Sequence, residues 1–133
     1  MTPEDALQIL RRAALAALDK KADDLVLLDL QGVASFTSYF LLCTGHSARQ
    51  VQAISDSVEE QLARAGVRPA HLEGYENAEW VLLDYVDFVV HIFSDSARAY
   101  YDLERLWNHA PVLFSEQVSS LRESAESKRE SVP

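Results

Sequence analysis

The sequence predicts an α/β domain built on a single mixed sheet, with helices mainly on one face, in the order αββαβββα. Three observations carry that expectation. Apolar residues recur at helical spacing in two long stretches, residues 7–18 and 51–65. Short apolar runs bounded by turn residues stand at 25–30, 37–43, 80–85 and 87–93. The chain has 133 residues, 48% apolar and 25% charged, which suits one ordinary domain with a real core.

The elements follow in order. Thr2 suits a helix cap, Pro3 the first helical position, and Asp5 the reciprocal position of a capping box. Leu7, Leu10, Ala14 and Leu18 form the expected apolar stripe. Residues 25–30 read as a buried strand that Gln31-Gly32 ends, and 37–43 as a second strand. Ser47 caps the next helix, with Gln50 at the box position. Its stripe is Val51, Ile54, Val58, Leu62 and Ala65, and Gly66 is the C-terminal stop. Residues 67–73 read as a short strand or extended link, since Pro69 withholds a ladder donor. Residues 80–85 and 87–93 read as neighbouring strands, and Ser94-Asp95-Ser96 caps a last helix that reaches Trp107. From Ser115 the chain turns to Ser, Glu, Lys and Arg. Residues 1–112 are therefore expected to form the domain and 113–133 a flexible C-terminal tail.

Composition narrows the function classes. No apolar run approaches the length of a membrane span. Glu4, Asp5, Arg11 and Arg12 interrupt the N-terminal Ala/Leu stretch, so it lacks the apolar segment of a signal peptide. Cys43 stands alone, which excludes an internal disulfide and a multi-cysteine metal site; a reducing cytoplasm is the expected compartment. Net charge is −9, so naked nucleic acid is a poor partner. Between Glu73 and Glu104 eight acidic residues stand against one basic residue, Arg98. That stretch reads either as a solvated surface or as one steered toward a basic partner.

Strand alternation sorts the side chains by face. Phe88, Val90 and Ile92 suit the helix-covered face, as do Val81, Leu83 and Tyr85. Trp80, Asp84, Asp87 and His91 are expected on the more open face, with Leu82 on the side of Trp80.

The catalytic motifs are incomplete. Gly45-His46-Ser47 follows a strand and opens a helix, but Arg49 stands where a nucleophile elbow needs its second glycine. Ser47 is more simply an N-cap. Asp84 and Asp87, three apart, would point to opposite faces of one extended strand and share a metal only across a bend. His46, His71, His91 and His109 lack ligand spacing, so no metal or cofactor is expected. His91 reads as a hydrogen-bonded structural residue, and Tyr100, Tyr101 and Trp107 as core. Trp80 begins a strand beside Glu79, where a half-exposed aromatic suits an interface anchor.

These letters resemble the ribosomal silencing factor, or Iojap, family over residues 5–112. The match runs through Asp29-Leu30, Thr44-Gly45 with Ser47, Arg49, Gln50 and Val51, then Glu73-Gly74 and Trp80 to Tyr85. It continues through Asp87, Val90 to Phe93, Arg98, Tyr101 to Glu104 and Leu106-Trp107. The resemblance implies a nucleotidyltransferase-like fold without the catalytic equipment. It implies a translation repressor that binds the large ribosomal subunit through ribosomal protein L-fourteen and sterically blocks the small subunit. It also implies homodimers off the ribosome. Trp80 is the expected anchor, and Glu79, Leu82, Asp84, Asp87, His91 and Tyr39 complete the expected partner-binding set. A large-subunit assembly factor and a metal-dependent nucleotidyltransferase are the alternatives. Two residues depart from the family pattern: Val86 replaces a usual glycine, and Ser38 a frequent aspartate.

Overall fold

Local signals fix the two long helices in the computed structural model, which describes residues 1–116. Thr2 Oγ1 accepts the Asp5 N–H at 3.1 Å and the Asp5 carboxylate accepts the Thr2 N–H at 3.3 Å. This is the expected capping box on α1 (Pro3–Asp19). Ser47 Oγ accepts the Gln50 N–H at 3.0 Å and caps α2 (Ala48–Arg64). α2 ends in a Schellman pair: Gly66 N–H donates to Ala63 O and Val67 N–H to Leu62 O, each at 2.9 Å. Gly66 sits at φ +78, a region that costs it nothing.

α2 buries Val51, Ile54, Val58 and Leu62 as the sequence predicts. α1 differs. Its buried face is Ala6, Leu10, Ala13, Ala16 and Ala17, while Leu7 is 36% exposed. The helices explain the change, because small side chains let α1 and α2 approach closely. Ser57 Oγ on α2 reaches the Ala16 carbonyl at 2.9 Å. Gln50 reinforces the pairing by donating to the Lys20 and Lys21 carbonyls at the end of α1.

The sheet has six strands: β1 (Asp23–Asp29), β2 (Tyr39–Thr44), β3 (His71–Glu73), β4 (Trp80–Asp84), β5 (Phe88–Phe93) and β6 (Val112–Glu116). Their spatial order is β3-β4-β5-β2-β1-β6. Among the described residues only β2 and β5 pair in parallel; α2 belongs to the crossover between them, and the other pairs are antiparallel. α1 and α2 cover one face, over Leu25, Leu41, Cys43, Val81, Leu83, Phe88, Val90 and Ile92. The second face gathers Leu28, Leu30, Phe40, Leu42, Val89 and Phe93 under α3 (Asp95–Tyr101) and α4 (Leu103–Leu106).

Two expectations are corrected. The last helix is not continuous to Trp107, because Asp102 at φ +45 breaks it into α3 and α4. The ordered sheet also passes the expected domain end at residue 112. Asp29 N–H donates to Pro111 O at 2.9 Å, and β6 then pairs along β1 as an edge strand. Three apolar residues, Val112, Leu113 and Phe114, were too short a run to stand out against the polar chain after them. The rest of the expected tail, 117–133, lies outside the described residues.

Candidate docking surface

The second face is unevenly covered. Ala97 on α3 and Leu103 on α4 are buried against the centre of the sheet, over β5 and β2. Toward β4 and β3 the cover ends: Trp80, Leu82 and Asp84 are half-buried, and His71 and Glu73 are exposed. The register assembles these residues. Trp80 pairs with Phe93, Leu82 with both His91 and Glu73, and Asp84 with both Val89 and His71. Opposed residues of antiparallel strands share a face. The strip Trp80–Leu82–Asp84 therefore has His71 and Glu73 on its outer side.

Trp80 is held on three sides. Its ring stacks on Phe93 with centroids 5.2 Å apart and planes at 29°. Tyr101, at the end of α3, lies 4.6 Å away on a tilted plane. Its Nε1–H donates to His91 Nδ1 at 3.0 Å. Its carbonyl is crossed by the chain at Gly74 (φ +82), where any Cβ would collide with that oxygen. His91 is buried, and burial followed by the nearby Arg98 charge lowers its pKa to about 3, so its ring is neutral at ordinary pH. Phe40 meets the His91 ring edge-on at 4.4 Å.

The one cation of the acidic stretch is turned inward. Arg98 Nε and Nη2 donate to the two Glu104 carboxylate oxygens at 3.0 and 3.2 Å, and Nη1 donates to Thr44 Oγ1 at 3.0 Å. Its side chain is only 10% exposed. It therefore neutralises Glu104 and leaves the charge of Glu73, Glu79 and Asp84 at the rim uncompensated by it. Glu79 is exposed beside Trp80, and its carboxylate accepts from Ser94 Oγ at 2.9 Å.

The expected partner-binding residues separate. Trp80, Glu79, Leu82 and Asp84 share one surface. His91 lies beneath it, reaching the surface only through Trp80. Asp84 and Asp87 do not share a strand, because the chain bends at Val86 between β4 and β5. The Asp84 carboxylate accepts the Val86 N–H at 2.8 Å and so braces that bend, while Asp87 is half-buried in the turn. Tyr39 does not join them. It is 2% exposed in the core under α1 and α2, on the opposite face, with its hydroxyl 3.3 Å from Gln31 Oε1. The sequence reading missed Tyr101 and its neighbour: Tyr100 is 82% and Tyr101 46% exposed, where core was expected. The acidic residues that follow the pair, Asp102 and Glu104, were the available signal of a solvated turn.

The Gly45-His46-Ser47 segment is structural in its contacts. Ser47 Oγ is occupied as a cap. His46 Nδ1 lies 2.8 Å from Asp95 and Nε2 3.3 Å from Asp23, so neither ring nitrogen faces Ser47. The Asp95 hydrogen bond is the largest cause of a raised His46 pKa, with Asp23 adding to it against partial burial. The two carboxylates sit at different nitrogens of the ring and do not converge on one point. Among the described residues no group of three His, Cys, Asp or Glu side chains could hold a metal ion, and no helix is long and apolar enough to cross a membrane.

A single mixed sheet with α1 and α2 on one face and α3 and α4 on the other defines the class, an α/β protein. Comparison with known families gives the particular kind: the family described as Ribosomal silencing factor during starvation matches residues 3–133. The chain belongs to that family. It is 44% identical over 104 residues to the ribosomal silencing factor of Bacillus subtilis, spanning 78% of this chain and 88% of the relative. The Halalkalibacterium halodurans ribosomal silencing factor is 43% identical over 113 residues, 85% of this chain and 97% of the relative. A crystal structure of a Chromobacterium violaceum protein superposes with a TM-score of 0.75 at 40% identity, covering 77% of this chain and 85% of that one. A Bacillus halodurans structure superposes with a TM-score of 0.71 at 41% identity, covering 84% and 98%.

Proposed function

We propose that this protein represses translation by docking on the large ribosomal subunit, through ribosomal protein L-fourteen, and denying the small subunit its joining surface. The observation that carries the reading is the strip of Trp80 and Leu82, half-buried beside rim carboxylates, with Arg98 folded away from it. A large aromatic in a partly desolvated setting anchors a contact, and rim charge steers a basic surface toward it. Ribosomal proteins bound to RNA present such basic surfaces. Steric occlusion requires no catalytic group, which suits a face whose one buried histidine is neutral and bonded to a tryptophan. Off the ribosome, the β6 edge with Val112 and Leu113 exposed suits pairing with a second copy.

The experiment is subunit joining followed by light scattering. Purified large subunits preincubated with the protein should fail to join added small subunits, and the protein should sediment with the large subunit alone. Unimpaired joining, or sedimentation with the small subunit instead, would overturn the proposal.

A further inference from the structure

The docking strip depends on a residue that no partner could touch. His91 is 3% exposed, and among the described residues its Nε2 has no hydrogen-bond partner. With Nδ1 accepting from Trp80, the neutral ring carries its proton on Nε2, a donor buried without an acceptor. An apolar side chain would fill the same space without that penalty. The polar contact that His91 makes is the bond to the Trp80 indole. The His91 ring is itself fixed, edge-on to Phe40 at 4.4 Å and parallel to Phe93 at 6.0 Å and 9°. A fixed acceptor beneath a half-exposed indole sets which edge of that indole faces outward.

We propose that His91 is a positioning residue for docking: it holds Trp80 by the indole N–H in the orientation that the partner surface receives. The inference rests on the docking reading above. Phe93 and Tyr101 restrain the plane of the indole but not its rotation within that plane, because ring stacking tolerates sliding and turning. The Nε1–Nδ1 bond supplies that last restraint. Removing it frees the indole to turn its N–H toward water, and the partner must then reorder the side chain on binding.

The test uses the full chain in a Trp107→Phe background, so that a single indole N–H remains. Two quantities are read: hydrogen exchange of that N–H by nuclear magnetic resonance, and affinity for purified large subunits. His91→Leu should speed exchange and weaken binding by about tenfold, the size of one misplaced anchor contact. His91→Asn, whose carbonyl oxygen can stand near the place of Nδ1, should restore slow exchange and binding together. Wild-type affinity in His91→Leu with fast exchange would overturn the positioning role while leaving the docking face intact. Weakened binding with unchanged exchange would also overturn it, as would His91→Asn behaving like His91→Leu. If His91→Leu does not fold, His91→Met replaces it as the variant without a strong acceptor. Trp80→Glu run beside them separates the two readings: wild-type binding there sinks the docking face itself.

Discussion

Among the described residues Val86 carries the plainest local strain. It lies at φ +72 and is 60% exposed, and the Asp87 N–H returns to the Tyr85 carbonyl across it at 2.9 Å. That is a γ-turn of the positive-φ kind, rare and strained even for unbranched residues. A β-branched residue there is a true outlier. The bend persists because its surroundings determine it: Asp84 binds the Val86 N–H at 2.8 Å and Thr37 Oγ1 the Val86 carbonyl at 3.0 Å. The family resemblance flagged this position, where it implies glycine, and glycine enters this φ freely. Val86→Gly should therefore stabilise the fold by about 1 kcal/mol, after the entropy lost by glycine is set against the relieved strain. Thermal unfolding should move up by about 3 °C. An unchanged or lower midpoint would mean the turn is relaxed. Trp80 was legible for a different reason: strand alternation and its acidic neighbour Glu79 placed it at the surface. Tyr39 was not, because letters alone could not show which face β2 turns toward the helices.

At the scale of elements, the joint between α3 and α4 explains what sequence could not show. Leu103 and Leu106 continue a helical pattern past Asp102, so periodicity predicted one helix. On a continuous helix Arg98 would meet residues three or four along, not Glu104, six along. The left-handed Asp102 rotates α4 so that the Arg98–Glu104 fork closes. Aspartate tolerates that conformation, but the pairing that selects it is tertiary. A second joint ties three element starts together. His46, just before α2, bridges Asp95 at the start of α3 and Asp23 at the start of β1. Its pKa is raised in the folded state, so the protonated form favours folding. The stabilisation is fully present below the unfolded value of 6.5 and is lost as pH rises through the higher folded value. Melting temperature should thus fall as pH rises above 6.5, and His46→Gln should flatten that slope. Parallel slopes in the two proteins would remove the bridge from the account. His46 is half-exposed, so the effect is modest and screened by salt.

Among the described residues acid excess is uneven. Arg11, Arg12, Lys20, Lys21, Arg49, Arg64 and Arg68 in α1, α2 and the segments adjoining them are nearly balanced by Glu4, Asp5, Asp19, Asp23, Asp24, Asp56, Glu59 and Glu60, whereas the stretch from Glu73 to Glu104 sets eight acids against Arg98 alone. Such an imbalance orients an approaching basic surface before contact, and screening over about 8–10 Å at physiological salt weakens it. Binding to large subunits should therefore weaken as salt rises, chiefly through a slower association rate. Equal affinity at low and high salt would make the acidic face a solubility feature only. The overall architecture was legible because two amphipathic helices and four core strands carry their own periodicity. The edge strand β6 was not, since three apolar residues acquire meaning only beside β1. On the function proposed above, this protein docks through the Trp80 face. The most direct test is the affinity of Trp80→Glu for purified large ribosomal subunits, with its fold verified by circular dichroism. The indole is half-buried against Phe93, so the variant should melt somewhat lower yet remain folded at 25 °C. Its binding should weaken by about 2 kcal/mol or more, roughly thirtyfold, and subunit joining should proceed in its presence. A folded Trp80→Glu protein that binds large subunits with wild-type affinity would contradict the claim.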